Sequence, residues 1–335
     1  MRILIADAFP DASQTEMTDH DHDCVCAPDL RAEELPVRIS GYDVLVVRST
    51  QVTAETIDAA DDLKMIIRAG SGTNTIDVAA ASRRGIHVCN VPGRNAVAVA
   101  ELAFGLLLAL DRRIPDNVED LRAGHWDKKR YAQARGIRGR RVGVVGLGQI
   151  GIEFAERAAA FGAAVHAVAS ANRDPQITER AQAVGTTFVD GLDALARTCD
   201  VLSFHVPAGE RTRGMIGRRL LSLVPREAII LNTARGDLVD ESALLEAMDT
   251  KGVRAGLDVF HGEPGTSKGS IDNPLLGHPN VYGTHHIGAS TEQAQQAVAD
   301  EVVRMVDEFE RGTVLHPVNA EAVREARAVH TGAAT

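Results

Sequence analysis

The chain has 335 residues, of which 44% are hydrophobic and 24% are charged, and its formal net charge at pH 7 is −10. This length predicts two domains, and the composition is that of an ordinary globular protein with a sizeable core. The excess of acidic residues argues against binding to nucleic acid or to an anionic membrane surface, because either partner would need a basic face.

The N-terminus and the apolar runs predict neither a signal peptide nor a membrane span. The first apolar run meets Asp7 too soon for a signal peptide, and the longest, 96–110, is too short for a bilayer and contains Glu101. Four scattered cysteines do not make a disulfide framework, so we expect reduced thiols and a soluble cytoplasmic protein. These cysteines are Cys24, Cys26, Cys89 and Cys199.

The segment from His20 through His22 and Cys24 to Cys26 has the residue types of a metal site. Structural zinc usually takes its ligands from two separated pairs, and no second Cys/His pair stands at a suitable spacing. A polar loop that enters a short strand, with cysteine at alternate positions, explains the segment better. We therefore expect no metal, and the role of these four side chains stays open.

Short apolar runs alternate with helical patterns along the first part of the chain. Such alternation predicts an α/β fold, in which helices cover both faces of a parallel sheet. Strands are expected at 2–6, 43–48, 65–68 and 85–90, and helices at 30–40, after Thr53, at 76–84 and at 96–112.

The alternation restarts near residue 141 and predicts a second doubly wound domain. Its expected strands are 142–145, 165–169, 201–206, 228–232, 256–260 and a strand around 280–283, with helices that include 176–184 and 242–248. Residues 288–291 open a further helix, and the charged, alanine-rich segment 321–335 is expected to be a frayed helix.

The first strand of this second domain ends in a glycine motif, Gly146-Leu-Gly148-Gln-Ile-Gly151, and an apolar helix follows. In a dinucleotide site the first glycine allows the turn, the second admits a pyrophosphate, and the third lets helix and strand pack together. The N–H groups at the helix start then face the anion. The motif alone would also fit a structural turn, but its flanks favour nucleotide binding.

Three polar residues of different chemistry follow predicted strands, where ligands of open α/β sheets bind. Arg235 follows a buried run, Glu263 follows the strand near 256–260, and His286 follows the strand near 280–283. Together they could polarise a carboxylate and transfer a proton. Considered one at a time, Arg235 could equally be a solvated surface arginine, and His286 could be a structural histidine, since the chain has twelve histidines.

Seven ordered segments of this chain resemble the D-isomer-specific 2-hydroxyacid dehydrogenase family, and within it most closely the D-3-phosphoglycerate dehydrogenases. The matching blocks run in the family's order between about Met1 and Asn319, which makes them more specific than any single motif. They are residues 48–53, 68–74, 90–101, 146–151, 232–240, 257–264 and 286–291.

The resemblance implies a flavodoxin-like substrate domain, built from 1–98 and 287–335, into which a Rossmann NAD(P)-binding domain of residues 99–286 is inserted. It implies an active site in the cleft between the domains and a homodimer. Because the chain ends soon after 316–319, the regulatory domain of some relatives is not expected.

The resemblance also implies a reaction: hydride transfer between C2 of a 2-hydroxy acid and a nicotinamide ring, with no metal. His286 matches the family's acid/base histidine, Glu263 the carboxylate that bonds it, and Arg235 the arginine that holds the substrate carboxylate. Implied contacts of the NAD(H) or NADP(H) cofactor are Gly146, Gly148, Gln149, Ile150, Gly151, Ser170, Arg173, His205, Pro207, Thr233 and Asp258.

Substrate choice depends on fewer residues. Arg48 and Arg68 match arginines that lie near the substrate phosphate in phosphoglycerate dehydrogenases, and N–H groups around Ser71 and Gly72 match a carboxylate site. The phosphorylated substrate would imply a place in serine biosynthesis. The loop 126–129 resembles one that can supply basic charge, including to a neighbouring subunit. Its lysines could also simply be solvated, and Arg68 could be a general family residue.

Two positions depart from the family's pattern. No acid stands about twenty residues after the glycine motif, where Ala169 and Ser170 precede Arg173, so NADP(H) is as open as NAD(H). His285 replaces a common proline, and the 287–291 sequence favours His286 as the acting histidine. Alternative functions are an NADPH-dependent glyoxylate or hydroxypyruvate reductase and, more remotely, a dinucleotide-sensing corepressor.

Overall fold

The structure, a computed structural model, describes residues 1–264 and 268–332. The chain divides into two compact units. The first contains Met1–Asn95 with the described parts of Pro264–Gly269 and Thr291–Thr335, and the second contains Ala96–Glu263 and Ser270–Ser290. The predicted domain boundaries, after residue 98 and before residue 287, stay a prediction.

Each unit is built around one wholly parallel sheet, which confirms the predicted fold class. The first sheet has the order β2-β1-β3-β4-β5, the flavodoxin-like order. Its strands are β1 (Arg2–Ile5), β2 (Asp23–Cys26), β3 (Val44–Val47), β4 (Met65–Arg68) and β5 (His87–Asn90). Strand β3 is buried along its whole length, as expected for a sheet that helices cover on both faces.

The second sheet has the order β8-β7-β6-β9-β10-β11-β12, the Rossmann order with one added strand. The order reverses between β6 and β9, which is the switch point at which such sheets bind ligands. The strands are β6 (Arg141–Val145), β7 (Ala164–Val168), β8 (Thr187–Val189), β9 (Val201–Phe204), β10 (Ile229–Asn232), β11 (Arg254–Leu257) and β12 (Val281–Gly283).

The helices fall between these strands and after the last of them, at or near the predicted positions in most cases. In chain order they are α1 (Asp11–Asp19), α2 (Leu35–Arg38), α3 (Ala54–Asp58), α4 (Val78–Arg83), α5 (Ala96–Arg112), α6 (Ile114–Arg122), α7 (Gln149–Ala160), α8 (Pro175–Ala183), α9 (Leu192–Thr198), α10 (Arg218–Leu223), α11 (Glu241–Lys251), α12 (Glu292–Glu310) and α13 (Ala320–Gly332). Of the predicted C-terminal helix 321–335, the last three residues lie outside the described residues. Within those described, no helix is long and apolar enough to cross a membrane.

One predicted helix was too long. Residues 30–40 contain a 3-10 turn, Ala32–Glu34, followed by the single turn of α2. Pro36 lies in the first turn of α2, where it lacks the N–H that would continue a helix from the preceding residues. The proline therefore accounts for the start of the α-helix at Leu35, and the helix has four residues.

The cysteine-containing segment forms the predicted loop and short strand, and this strand, β2, lies at the edge of the first sheet. Cys24 and Cys26 lie on β2, and His20 Nδ1 lies 3.0 Å from the Asp307 carboxylate on α12. Burial raises the pKa of Cys24 to about 11, so its thiol stays protonated near neutral pH. Across residues 1–264 and 268–332, no three His, Cys, Asp or Glu side chains are arranged to hold a metal ion.

A buried carboxylate, Glu301 on α12, ties together charged groups of the first unit. It accepts hydrogen bonds from Arg94 at 2.7 Å, from Arg304 and from His316, whose Nε2 lies 3.0 Å away. Burial alone would raise the pKa of Glu301, but these hydrogen bonds outweigh it and lower the pKa to about 2. The ionised form is therefore favoured in the folded chain.

We expect Glu301→Gln to lower the free energy of unfolding by about 2 kcal/mol at pH 7. Because the folded-state pKa is depressed, the stabilisation is complete above the unfolded-state value and disappears as pH falls from about 5 to about 2. Urea unfolding of both proteins across this range measures the difference. Glu325→Gln, at an exposed position of α13, is the matched control, and a difference that persists at pH 2 would contradict the assignment.

Candidate active site

The three motif glycines lie between β6 and α7, and two of them have no room for a side chain. Gly146 has φ +91°, and a Cβ there would lie 2.5 Å from the carbonyl oxygen of His205. A Cβ on Gly151 would lie 2.2 Å from the Gly146 carbonyl oxygen, so this glycine permits the close packing of helix on strand. Gly148 borders open space, which leaves its backbone accessible to a ligand.

A cavity of about 370 Å³ opens beside this turn, at the switch point of the second sheet. Its size is in the range of small-molecule sites. The loops that follow β6, β7 and β9 form it together, so it lies at the carboxyl edge of the sheet. Of the predicted cofactor residues, Gly146, Gly148, Ser170, Arg173, His205 and Pro207 line this cavity. Gln149, Ile150 and Gly151 form the first turn of the adjoining helix α7.

His205 contributes a neutral imidazole to the cavity wall. Its Nε2 lies 2.8 Å from the Ser203 hydroxyl, and its ring packs on Phe154 with 5.3 Å between the ring centroids. Burial lowers the pKa of His205 to about 3, so it carries no charge at physiological pH. Its buried Nδ1 has no hydrogen-bond partner among the described residues, which leaves it available to a bound ligand.

Arg235 lies in the loop that follows β10, and side-chain hydrogen bonds of Asn232 hold this loop. The fully buried Asn232 donates from Nδ2 to the Arg235 carbonyl at 2.8 Å and accepts from the Ala234 N–H at 3.1 Å. A Cβ on Gly236 would lie 2.2 Å from the Phe260 carbonyl, so this glycine lets the Arg235 loop touch the loop that carries Glu263. Sequence reasoning had not identified Asn232, although a buried amide before a functional loop is a recognisable signal.

Glu263 and His286 form a hydrogen-bonded pair. His286 Nδ1 lies 2.6 Å from Glu263 Oε2, while the Phe260 N–H donates to the other carboxylate oxygen at 2.7 Å. Burial would raise the pKa of Glu263, but the bonds from His286 and Phe260, together with the Arg235 charge, lower it. The side chain of His285 has no partner among residues 1–264 and 268–332. Of the two neighbouring histidines, the structure therefore pairs His286.

Burial lowers the pKa of Arg235, and the nearby Glu263 partly opposes this effect. A half-buried guanidinium has fewer waters to replace when it binds an anion, which strengthens a bidentate bond to a carboxylate. Arg235, Glu263 and His286 thus supply a fixed cation, a carboxylate and a titratable imidazole in the second unit. Such a set can hold an acid and move one proton.

Asp258, predicted as a cofactor contact, is engaged with the protein itself. It follows β11, is 1% exposed, and accepts hydrogen bonds from the Thr284 hydroxyl at 2.6 Å and from the N–H groups of Ile287 and Gly288 at 2.9 and 2.8 Å. These bonds hold the turn that contains His286, whose φ is +53°. A further contact of Asp258 with a cofactor stays a prediction.

Thr233, also a predicted cofactor contact, lies next to the buried end of β10. Its hydroxyl is buried and has no hydrogen-bond partner within the described part of the chain. A buried hydroxyl of this kind is costly unless a ligand or water completes it. Together with the open side of Gly148 and the free Nδ1 of His205, it fits a polar ligand such as a dinucleotide.

In the first unit, the predicted substrate residues gather at the carboxyl edge of its own sheet. Val47, the last residue of β3, pairs with Arg68, the last residue of β4. Arg48 directly follows Val47, so Arg48 and Arg68 stand at the ends of neighbouring strands. The Asp7 carboxylate, after β1, accepts the N–H groups of Arg48, Ser49 and Thr50 at 2.6, 3.1 and 3.1 Å. Asp7 was missed because a lone acid after a strand carries no motif.

Ser71 and Gly72 lie in the loop after β4. The Ser71 hydroxyl donates to Asn95 Oδ1 at 3.2 Å, and Asn90 Nδ2 donates to the Ser71 carbonyl at 2.7 Å. Polar side chains thus fix this loop, and the backbone N–H groups predicted to bind a carboxylate belong to it. The guanidinium of Arg68 packs against Gly70, where a Cβ would lie 1.7 Å from Arg68 Nη1.

Comparison with known proteins identifies the family of this chain. Residues 104–288 match the family model described as D-isomer specific 2-hydroxyacid dehydrogenase, NAD binding domain. A D-3-phosphoglycerate dehydrogenase of Methanocaldococcus jannaschii is 44% identical over 297 residues, which are 87% of this chain and 54% of the relative. A hydroxypyruvate reductase of Thermotoga maritima is 43% identical over 84% of this chain and 89% of the relative.

The chain is also similar to solved structures of dehydrogenases and reductases. An NADPH-dependent glyoxylate/hydroxypyruvate reductase from Sinorhizobium meliloti, solved with NADP and malonate, has a TM-score of 0.78 and 29% identity over 95% of this chain and 96% of that chain. This chain spans only about half the length of the phosphoglycerate dehydrogenases it matches from Methanocaldococcus jannaschii and Archaeoglobus fulgidus, 54% and 57%. By its nucleotide-domain match and these relatives, the chain belongs to the D-isomer specific 2-hydroxyacid dehydrogenase family.

Proposed function

We propose that this protein transfers hydride between a nicotinamide nucleotide and a D-2-hydroxy acid or its 2-oxo acid. The observation that carries the proposal is the 2.6 Å pair of His286 and Glu263, in the same unit as the half-buried Arg235 and the cavity beside the glycine motif. The nicotinamide ring would supply the hydride chemistry. Gly146, Gly148 and the first turn of α7 would hold the nucleotide.

The proton is assigned to one atom of His286. An ionised carboxylate can only accept hydrogen bonds, so Glu263 fixes the N–H at Nδ1 of the neutral ring and leaves the lone pair at Nε2. In the oxidation direction Nε2 accepts the substrate hydroxyl proton, and in reduction it returns the proton to the carbonyl oxygen. Glu263 stabilises the imidazolium, and Arg235 holds the substrate carboxylate.

For the substrate we propose 3-phosphoglycerate and 3-phosphohydroxypyruvate, which would place the protein in serine biosynthesis. Arg48 and Arg68 stand at the same edge of the first sheet, at the ends of neighbouring strands, where two cations suit a phosphate dianion. Backbone N–H groups at Ser71 and Gly72 would add to carboxylate binding. The names of several relatives support this choice.

A second candidate is an NADPH-dependent glyoxylate or hydroxypyruvate reductase. It is favoured by the loop after β7, which has no acid between Ala169 and Arg173. The hydroxypyruvate reductase of Thermotoga maritima, which this chain matches over 89% of its length, gives it further support. The two candidates differ in the oxo acid. 3-Phosphohydroxypyruvate carries a phosphate on C3 and hydroxypyruvate a neutral hydroxyl group, whereas glyoxylate has no C3.

The two candidates predict different effects of Arg48→Ala. If Arg48 binds phosphate, its loss removes one or two charge-assisted hydrogen bonds, so kcat/KM for 3-phosphohydroxypyruvate should fall by about 10- to 100-fold. The value for hydroxypyruvate should change by less than about twofold. Initial rates with 3-phosphohydroxypyruvate, hydroxypyruvate and glyoxylate, each with NADH and NADPH, measure both. Arg38→Ala, an exposed arginine on α2, is the control.

The outcomes separate the candidates. Unchanged kinetics for the phosphorylated acid in Arg48→Ala would remove Arg48 from a phosphate site. A wild-type preference for the unphosphorylated acids would favour the second candidate. If the protein reduces none of the three acids, the proposed substrate class is wrong.

We also propose a homodimer, as the family resemblance implies. Helix α6 supports this, because its apolar side chains are not covered within the described chain. Ile114 and Leu121 are about half exposed, and Trp126 in the following loop is 82% exposed. Exposed apolar residues that recur along one helix are typical of a surface that binds a partner.

A further inference from the structure

We infer that Ser170 and Arg173 bind the 2′-phosphate of NADP(H), so that the chain selects NADP(H) over NAD(H). The inference deepens the proposed function, since it assumes that the cavity beside the glycine motif holds a nicotinamide nucleotide. It concerns the ribose end of that site, away from the acid/base pair. Its basis is the loop after β7, whose residues form one wall of the cavity.

The position of this loop determines what it can recognise. Strand β7 is the neighbour of β6 on the side away from β9, and it ends beside the glycine turn. The adenine-side ribose of a dinucleotide on a Rossmann sheet reaches this strand end, where a carboxylate normally bonds its hydroxyl groups. Here Ala169 and Ser170 occupy the strand end, and both are exposed to the cavity.

The wall contains a cation and no carboxylate. Arg173 is the single charged residue among the described residues that line the cavity, because His205 is neutral. The nearest acid along the chain, Asp174, uses its carboxylate to accept the Gln176 N–H at the start of α8. A carboxylate would repel a 2′-phosphate, whereas an arginine and a hydroxyl attract it.

Arg173 is held in place without being fully occupied. Its Nη2 donates to the Val168 carbonyl at 2.6 Å, and its guanidinium lies 4.9 Å from the centre of the Phe188 ring on β8. A guanidinium has five N–H donors, so donors remain for a phosphate oxygen. The ring contact and the carbonyl bond fix the plane of the group, which reduces the entropy lost when a phosphate binds.

The sharpest test compares two ligands that differ only in this phosphate. Adenosine 2′,5′-bisphosphate and AMP are titrated against the purified full chain by isothermal calorimetry, with no oxo acid present. We expect the bisphosphate to bind at least about tenfold more tightly, the effect of one charge-assisted hydrogen bond. Arg173→Ala should remove about that factor for the bisphosphate and change the AMP affinity by less than about twofold.

Two further variants complete the test. Ser170→Asp restores an acid at the strand end and should reverse the preference, so that AMP binds more tightly than the bisphosphate. Arg219→Ala is the matched control, because Arg219 is an exposed arginine of the same unit that does not line the cavity. It should bind both ligands as the unaltered chain does.

Equal affinity of the unaltered chain for the two ligands would overturn the inference. So would an Arg173→Ala variant that loses affinity for both ligands equally, because the arginine would then act through the fold of the loop. Neither result touches the proposed reaction, which is measured by reduction of an oxo acid. A chain that prefers the bisphosphate but reduces no 2-oxo acid would instead uphold the phosphate site and contradict the proposed function.

Discussion

Replacing His286 with alanine should lower kcat by about 10²- to 10⁴-fold, the usual contribution of a general acid/base. The variant loses the atom to which the substrate proton passes, while Glu263 and the cavity beside Gly146 remain. Nucleotide affinity should therefore stay within about twofold of its original value. Steady-state rates with the best oxo acid, together with calorimetric titration of the nucleotide, measure the two quantities separately.

His285→Ala is the matched control for this experiment. The two histidines are adjacent and both exposed, but only His286 is bonded to a carboxylate among the described residues. We expect the control to keep most of the activity. Full activity in His286→Ala, or a large loss in His285→Ala alone, would show that His286 is not the residue that transfers the proton.

Replacing Arg235 with alanine should lower kcat/KM by about 10²- to 10³-fold, because a bidentate bond from a half-buried guanidinium to a carboxylate is worth several kcal/mol. Arg235→Lys keeps a charge but loses the planar pair of donors, so it should recover only part of the activity. The loss should fall on oxo acid binding and turnover, and nucleotide affinity should change little. Measuring KM and kcat for each variant separates these effects.

The control for Arg235 is Arg226→Ala, since Arg226 is exposed in the same unit. Alanine at Arg235 could also disturb the loop fixed by Asn232, and thermal unfolding of each variant measures this directly. A variant of Arg235 that is as stable as the unaltered chain and keeps its kcat/KM would remove the arginine from substrate binding.

Much of the fold could be predicted from the sequence because apolar runs of four or five residues alternate with amphipathic segments. Strand β4 and helix α5 were predicted with the bounds that the structure has. Helix α1 was missed, since only Ser13 and Met17 on it are buried, and two positions four residues apart give little periodicity. Residues 30–40 were extended too far because the pattern was followed across Pro36.

The candidate site was predictable where a residue type is tied to a position at a strand end. Arg235, Glu263 and His286 satisfied this condition, and the structure brings the last two into contact. Asp7 and Asn232 were not found, because their effect is to hold a loop through hydrogen bonds between residues that are distant or unremarkable in the sequence. Such bonds depend on tertiary positions that local patterns do not encode.

The turn held by Asp258 has a consequence for the cost of catalysis. A residue other than glycine at φ +53° is strained by about 1 kcal/mol, and His286 would leave this conformation if nothing opposed it. The bonds from Ile287 and Gly288 to Asp258 offset that strain while the chain folds. The conformational entropy of orienting the imidazole is therefore lost during folding, before any ligand binds. Substrate binding energy is then not needed to order His286 and can stabilise the reacting groups.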